Sequence, residues 1–89
     1  MKAIIAVIGQ DRVGILAKIS AVCAEKNASV DDVNQTVMQN YFAMTMLVDI
    51  STLNCSFRNL TEALTETGQQ IGMKVHVMHE DIFNSMHRI

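Results

Sequence analysis

The segment IGQDRVGIL, residues 8–16, joins an apolar run to an amphipathic one. The run before it, residues Ala3 to Ile8, is continuously apolar and mostly β-branched, which predicts a central strand that ends at Gly9 and is covered on both faces. After it, residues Val13 to Lys26 carry apolar side chains at three- and four-residue steps, which predicts a helix with one buried stripe. A turn that brings unpaired backbone N–H groups and the small Gly14 to a helix start is able to receive a small anion.

Turn and capping residues divide the remainder of the chain into further strands and helices. Asp11 is the expected N-cap of the first helix, and Asn27 is the residue expected to end it. The later elements are predicted as a strand over 28–39, a turn at 39–40, a strand over 43–50, a helix over 57–71 capped by Ser56, a strand over 73–79 and a terminal helical segment over 82–89. Gly68 lies inside the second helix, where glycine costs about 1 kcal/mol relative to alanine.

The predicted order of elements is β-α-β-β-α-β, followed by a short C-terminal helical segment. This pattern is typical of an α+β, ferredoxin-like sandwich, in which two helices cover one face of a four-stranded antiparallel sheet. The second strand mixes polar and apolar residues, so we expect it at an edge of the sheet. The sheet face away from the helices carries apolar residues of the first and third strands. We expect a partner subunit, the C-terminal segment or both to cover that face.

The composition is that of one small globular domain, with 89 residues, 49% of them hydrophobic, and a formal net charge of -2. A core of this limited size favours oligomerisation. The apolar runs are too short to span a membrane, and no signal peptide is predicted. Cys23 and Cys55 lack disulfide or metal-site spacing, so we expect free thiols in a reducing cytoplasm. A slightly acidic chain without a basic stripe is not expected to bind nucleic acid.

Patterns that would indicate catalysis or metal binding are not found in the sequence. His76 and His79 are three residues apart on a predicted strand, hence on opposite faces, and no cysteine or carboxylate has the spacing of a further ligand. The adjacent Asp31 and Asp32 are likewise expected on opposite faces of a strand. No nucleophile elbow, P-loop or dinucleotide-binding glycine pattern is present. We therefore expect neither an enzyme nor a bound metal or cofactor.

In its motifs and their order the chain resembles the ACT domain family. The likeness rests on the apolar first strand, the DRVG turn at residues 11–14, the NASV segment at 27–30 that enters the second strand, and the βαββαβ order from Lys2 to His79. The last eleven residues, HEDIFNSMHRI, are similar to the ending of small stand-alone ACT proteins, and the glycine cleavage system repressor is a more distant likeness. The resemblance implies an ACT domain over residues 1–79 and a C-terminal helical tail over 80–89.

The resemblance also implies a ligand site at the turn between the first strand and the first helix. ACT domains commonly bind amino acids or other small metabolites there, often across a dimer interface. An amino acid would place its carboxylate at the helix N-terminus and its ammonium near Asp11 or a side-chain amide. Carried over to this sequence, the ligand-binding positions are Asp11, Arg12, Val13, Gly14, Ile15 and Leu16 in the turn and first helix, with Asn34 and Gln35 on the second strand.

Two functions are consistent with these features. The first is a cytoplasmic, homodimeric regulatory protein that binds a small-molecule effector, an amino acid in the first instance, and reports its concentration to a protein target. The second is an interaction module without a ligand, in which the sheet face and the polar tail, with Glu80, Asp81, Asn84, His87 and Arg88, recruit a protein partner. Direct contact with nucleic acid or membrane is expected for neither.

Overall fold

The computed structural model of the chain describes residues 1–86, and the predictions made for His87, Arg88 and Ile89 lie outside these described residues. Four strands and three helices follow one another in the predicted order. They are β1 (Lys2–Gln10), α1 (Ile15–Glu25), β2 (Ser29–Met38), β3 (Tyr41–Asp49), α2 (Phe57–Gln70), β4 (Met73–His79) and α3 (Glu80–Met86).

The strands form a single antiparallel sheet in the order β2-β3-β1-β4, which places β1 in the interior and β2 at an edge, as predicted. The register sets Ile5 of β1 opposite Met46 of β3 and Val77 of β4. Helices α1 and α2 pack on one face of this sheet through Ile19 and Leu64, which are fully buried in the core cluster. The ferredoxin-like α+β sandwich expected from the sequence is therefore confirmed.

Alternation along the strands separates a buried face from an exposed one. Ala3, Ile5 and Val7 of β1 are fully buried beneath the helices. The alternate residues of the ranges 2–10, 32–38, 41–49 and 74–78 point away from the helices, and we call this surface the open face. In the single chain Ile8 on this face is 54% exposed, so the described residues leave the open face uncovered at this end of β1.

Gly9 does not end the first strand, which continues to Gln10. Gly9 pairs with Phe42 on one side and Met73 on the other, so the sheet is intact at this position. A Cβ atom at Gly9 would lie 2.7 Å from the Met73 Sδ atom. A larger residue would require the Met73 side chain to move, so Gly9 has a close-approach role rather than a strand-ending one.

The first helix begins two residues later than predicted, and Asp11 is not its N-cap. The N-cap is Gly14, whose φ of +87° lies in the left-handed region and whose position makes no side-chain capping bond. A backbone in this region favours glycine over residues with a Cβ atom. No atom lies within 4 Å of a Cβ built at Gly14 in the described chain, so close packing of the helix on the strand is not the reason for this glycine.

The ends of the other elements follow the predicted capping residues. Ser56 accepts a hydrogen bond from the Asn59 backbone N–H at 3.1 Å and so caps α2. Asn27 after α1 and Gly72 after α2 adopt positive φ values of 62° and 72°. Gly68 does more than weaken α2, because it is buried and a Cβ there would overlap the Val75 side chain of β4. This close approach could not be inferred from helix propensity.

A bulge in β2 overturns one expectation about the acidic pair. The register shifts between Val30 and Asp32, so Asp31 is inserted opposite no single partner. Asp31 bonds to Lys2, whose side chain points to the opposite side of β1 from the buried Ala3 and so lies on the open face. Asp32 also lines the open face. The two carboxylates therefore do not lie on opposite faces.

Helix α3 contacts β1 and β4 at the end of the sheet where β4 finishes. The Lys2 backbone N–H donates to the Glu80 carboxylate at 3.1 Å, which ties the start of α3 to the first strand. Within residues 1–86, no helix is both long and apolar enough to cross a membrane.

Candidate functional site

The turn between β1 and α1 is fixed at two points by other parts of the fold. The Asp11 backbone N–H donates to the Asn40 carbonyl, in the β2–β3 hairpin turn, at 2.7 Å. One residue later, Arg12 Nη1 donates to the carbonyl oxygen of Ile71 at the end of α2 at 2.9 Å. A cation at this position also opposes the partial negative charge of the α2 C-terminus. The turn is thus held between the hairpin and the second helix.

The N-terminus of α1 opens directly onto this turn. The first helical hydrogen bond runs from the Lys18 N–H to the Gly14 carbonyl at 3.0 Å. The amides of Ile15, Leu16 and Ala17 precede this bond and therefore have no partner within the helix. The left-handed Gly14 leaves the approach to these amides free of a side chain. Such a helix start carries partial positive charge and favours anionic groups.

A cleft of about 250 Å³ lies beside the helix start. Among the described residues that line it, two are cationic and none is acidic. The lining residues are Arg12, Val13, Ile15, Lys18, Gln70 and Ile71. The cleft is smaller than the roughly 300–1,000 Å³ of pockets that hold drug-sized ligands, so its size suits a small metabolite.

The turn residues predicted from the sequence occupy three different positions. Arg12, Val13 and Ile15 line the cleft. Asp11 is exposed beside it, and Gly14 forms the helix start. Leu16 is half-buried against the core cluster and offers only its backbone amide to the turn.

Asn34 and Gln35 do not line the cleft of their own chain. Asn34 lies on the open face, in a shallow depression of about 280 Å³ that it shares with Asp32, Thr45 and Leu47. Gln35 is opposite the buried Met44, so it lies at the β2 edge on the side of the helices. Only a neighbouring chain could bring either amide to a ligand in the cleft, and their role in binding stays a prediction.

Three cleft residues were not predicted from the sequence. Lys18 lies one helical turn beyond Gly14 and could have been found from helix geometry, because residues three or four apart share a face. Gln70 and Ile71 reach the cleft because the end of α2 lies next to the turn, and this contact links residues 59 positions apart. No local pattern in the sequence indicates such a contact.

Other ionisable groups lie away from the cleft. His76 is exposed on the open face, whereas His79 is half-buried with its ring edge-on to Phe57 at 6.1 Å between centroids. They lie on opposite faces of β4, as predicted. Within residues 1–86, no three histidine, cysteine or carboxylate side chains are grouped as a metal site would require. Burial raises the pKa of the Cys23 thiol, and Cys23 and Cys55 are both free.

The comparisons with known proteins agree with the fold. The profile of the ACT domain family matches residues 2–78. A UPF0237 protein of Methanocaldococcus jannaschii is 52% identical over 88 residues, which cover 99% of this chain and 98% of the relative. The solved structure of an ACT domain protein from Streptococcus pneumoniae superposes with a TM-score of 0.81 at 37% identity, covering 93% of each chain.

A further solved structure shares the fold at lower identity. It is described as a glycine cleavage system transcriptional repressor, and it superposes with a TM-score of 0.70 at 22% identity over 85% of this chain and 43% of that one. Members of the matching family typically have regulatory roles, bind small-molecule effectors and often dimerise. The family match spans nearly the whole chain, and the relatives match it over nearly their whole length. The chain belongs to the ACT domain family.

Proposed function

We propose that this protein is a regulatory sensor that binds an amino acid or a closely related small metabolite in the cleft beside the first turn. The observation that carries the proposal is the cationic cleft at the α1 N-terminus, where Arg12 and Lys18 line the wall next to unpaired helical amides. Such a site favours a carboxylate, because fixed N–H dipoles and two positive side chains act on the same small volume. The dimeric ACT protein would act in the cytoplasm and report ligand occupancy to a protein target.

The opposite end of an amino-acid ligand needs an acceptor for its ammonium group. Asp11 is exposed beside the cleft, and Gln70, which carries a carboxamide, is among the residues that line it. Either group supplies an oxygen that accepts from an ammonium. Gln70 thus takes over the role that the sequence suggested for Asn34 or Gln35, unless a neighbouring chain contributes one of those amides.

The chemistry of the cleft is that of binding. Arg12 and Lys18 are cations that orient an anion, and apart from Lys18 the described lining carries no side chain of the kinds that commonly act as a base or nucleophile. We therefore propose a role without catalysis, in which occupancy changes the position of the turn. Because the turn is tied to the β2–β3 hairpin through Asn40 and to α2 through Ile71, a shift there reaches two other elements.

The second candidate, an interaction module without a ligand, is favoured by one observation. Ile8, Met38 and Tyr41 are large apolar residues exposed on the open face. If this face and α3 recruit a different protein, truncation after Glu80 should abolish capture of that partner, while Asp11→Ala should not. Loss of capture with Asp11→Ala alone would count against this candidate.

Calorimetric titration of the wild-type chain with each of the twenty amino acids tests the sensor proposal. We expect one or a few to bind, and Arg12→Ala to weaken that binding at least about tenfold, because a charged hydrogen bond to a carboxylate contributes about 1.5–3 kcal/mol. Arg58→Ala is the matched control, since Arg58 is an exposed arginine on α2 that pairs with Glu62 away from the cleft. Equal affinity in both variants would refute the cleft as the binding site, and no binding by any of the twenty would refute an amino acid as the ligand.

A further inference from the structure

The backbone hydrogen bonds of β1 alternate between its two neighbouring strands. The bond from Asp11 to Asn40 closes one end of the β1–β3 ladder, and the bond that closes the other end has the same register. Such bonds recur at every second residue of an antiparallel pair, so the odd-numbered residues of β1 bond to β3 and the even-numbered ones to β4. Val75 and Val77 are opposite odd-numbered residues of β1. Their backbone N–H and C=O groups therefore point away from the sheet.

These outward groups form a free strand edge, because β4 is last in the strand order and no described strand pairs with its outer side. Met73 has the same orientation, but its carbonyl oxygen lies against α2, 3.1 Å from a Cβ built at Gly68. The free part of the strand is therefore the backbone of Val75 and Val77, which we call the β4 edge. An extended chain laid along the β4 edge would bond to these groups as a fifth strand.

A groove of about 240 Å³ follows the β4 edge where it passes α2. The residues that line it are Thr65, Gln69, Met73, Lys74, Val75 and His76. Four of these are consecutive residues of β4, whose side chains alternate between the two faces of the sheet. A groove that touches all four must run along the edge of the strand, since only the edge is common to both faces. The side chains of an added strand that point toward the helices would enter it.

The other edge of the sheet, formed by β2, is protected against strand addition. Asp31 is inserted there as a bulge, which interrupts the regular spacing of the backbone groups. Val33 is opposite Met46, whose backbone bonds to β1, so the Val33 N–H points outward. The Asp32 carboxylate accepts from that N–H at 2.9 Å. Bulges and local charges are known protections of exposed edges, whereas the register of β4 against β1 is unbroken.

The side chains beside the β4 edge indicate the charge of the strand that would add to it. Lys74 and His76 lie on the open face, next to the uncharged Ile8 and Ala6 of β1. Within residues 1–86 Lys74 makes no ion pair, and the described groove lining holds no carboxylate. In an added strand, the residues opposite Lys74 and His76 point to the same face as these two side chains. Acidic residues at those positions complement the edge.

We propose that the β4 edge binds an extended segment of a partner protein, in which acidic residues alternate with small apolar ones. The backbone of the segment bonds to Val75 and Val77. Its acidic side chains lie beside Lys74 and His76, and its apolar side chains enter the groove next to α2. The β4 edge of a second copy carries no carboxylate, so self-pairing would leave Lys74 without an opposite charge. The inference gives the proposed sensor a surface for its protein target, and it holds whether or not an amino acid binds in the cleft.

Nitrogen–proton correlation spectra of the full chain, titrated with the capped peptide Glu-Val-Glu-Val-Glu, test this surface without any cleft ligand. We expect a dissociation constant on the order of 1 mM, with shift changes and slowed hydrogen exchange at the amides of Val75 and Val77. The permuted peptide Glu-Glu-Glu-Val-Val cannot place its charges on one face and should bind at least about fivefold more weakly. Unchanged Val75 and Val77 amides, or equal binding of both peptides, would overturn the proposal. Protection of these amides without peptide, lost on dilution, would show a second copy on the edge and overturn the partner segment.

A charge reversal tests the acidic character of the segment. Lys74→Glu should weaken binding of the glutamate peptide about three- to tenfold and reverse the preference toward Lys-Val-Lys-Val-Lys. Lys26→Glu is the matched control, because it makes the same change in net charge at the end of α1 and should leave the preference for glutamate intact. The same peptide preference in the wild type and in both variants would overturn the acidic requirement.

A proline substitution tests the backbone bonds. Val77→Pro removes an N–H that points outward, a position at which an edge strand tolerates proline. Val77→Ala is the matched control, because it shortens the side chain and keeps the N–H. The proline variant should bind the glutamate peptide at least about threefold more weakly than the alanine variant. Equal affinity in the two variants, each shown to be folded by circular dichroism, would overturn strand addition. If the proline variant fails to fold, hydrogen exchange at Val77 in the wild type decides, and unslowed exchange with bound peptide would overturn it.

Discussion

Replacement of Gly68 by alanine separates helix propensity from packing, because the two effects have opposite signs. In an exposed helix interior, glycine to alanine stabilises by about 1 kcal/mol. At Gly68 the added Cβ would overlap the Val75 Cγ2 atom and lie 3.1 Å from the Met73 carbonyl oxygen. Val75 is β-branched and has little rotamer freedom to move away. Overpacking of this kind costs about 1–3 kcal/mol.

We expect the packing cost to exceed the propensity gain. Gly68→Ala should lower the free energy of unfolding by up to about 2 kcal/mol, which corresponds to a melting temperature up to about 15 °C lower for a domain of this size. Thermal and urea unfolding followed by circular dichroism measure this change. In a Val75→Ala background the overlapping atoms are absent, so the same substitution should be at least about 1 kcal/mol less destabilising. Stabilisation by Gly68→Ala in the wild-type background would refute the close approach of α2 to β4.

Three further outcomes follow from the structure. Gly14→Ala should lower stability by about 1 kcal/mol because of its left-handed backbone, even though the space around Gly14 is open; an unchanged melting temperature would contradict that backbone. A thiol reagent should modify the half-buried Cys55 in the native protein and Cys23 only after unfolding, since Cys23 is fully buried and burial raises its pKa; equal rates would contradict this burial. The Ser51 backbone N–H donates to the Asp49 carboxylate at 2.8 Å and lowers the pKa of Asp49 below its ordinary 3.8. The contribution of this hydrogen bond to the stability of the fold is therefore complete above that value and is lost as the pH falls through the lowered pKa. Asp49→Asn should therefore lose less stability than the wild type between about pH 5 and pH 2, and an equal loss would exclude this bond as the cause.

The fold could be predicted from the sequence because its signals are local and periodic. Alternation along β3 places Met44 and Met46 under the helices, and the capping role of Ser56 depends only on its neighbours. The roles of two glycines were misread because they depend on distant contacts. Met73 and Val75 of β4 approach Gly9 and Gly68 closely, and a single local sequence does not carry that information.

The candidate site was predicted only in part for the same reason. The turn residues Arg12 and Val13 were found because the DRVG pattern is contiguous. Gln70 joins them through the docking of α2, and the register of β2 places Asn34 on the open face, away from the cleft. The N-cap was assigned to Asp11 by residue preference, whereas the left-handed backbone at Gly14 starts the helix without a side-chain bond.

Nitrogen–proton correlation spectra of the wild-type chain, recorded during titration with the amino acid that binds tightest in calorimetry, test whether the first turn is the ligand site. We predict the largest shift changes at the amides of Val13, Ile15 and Leu16 and at the side-chain amide of Gln70. Amides in the middle of the open face, such as those of Ala6 and Thr45, should change little. Changes concentrated on the open face, with the turn unaffected, would contradict the proposed sensor site.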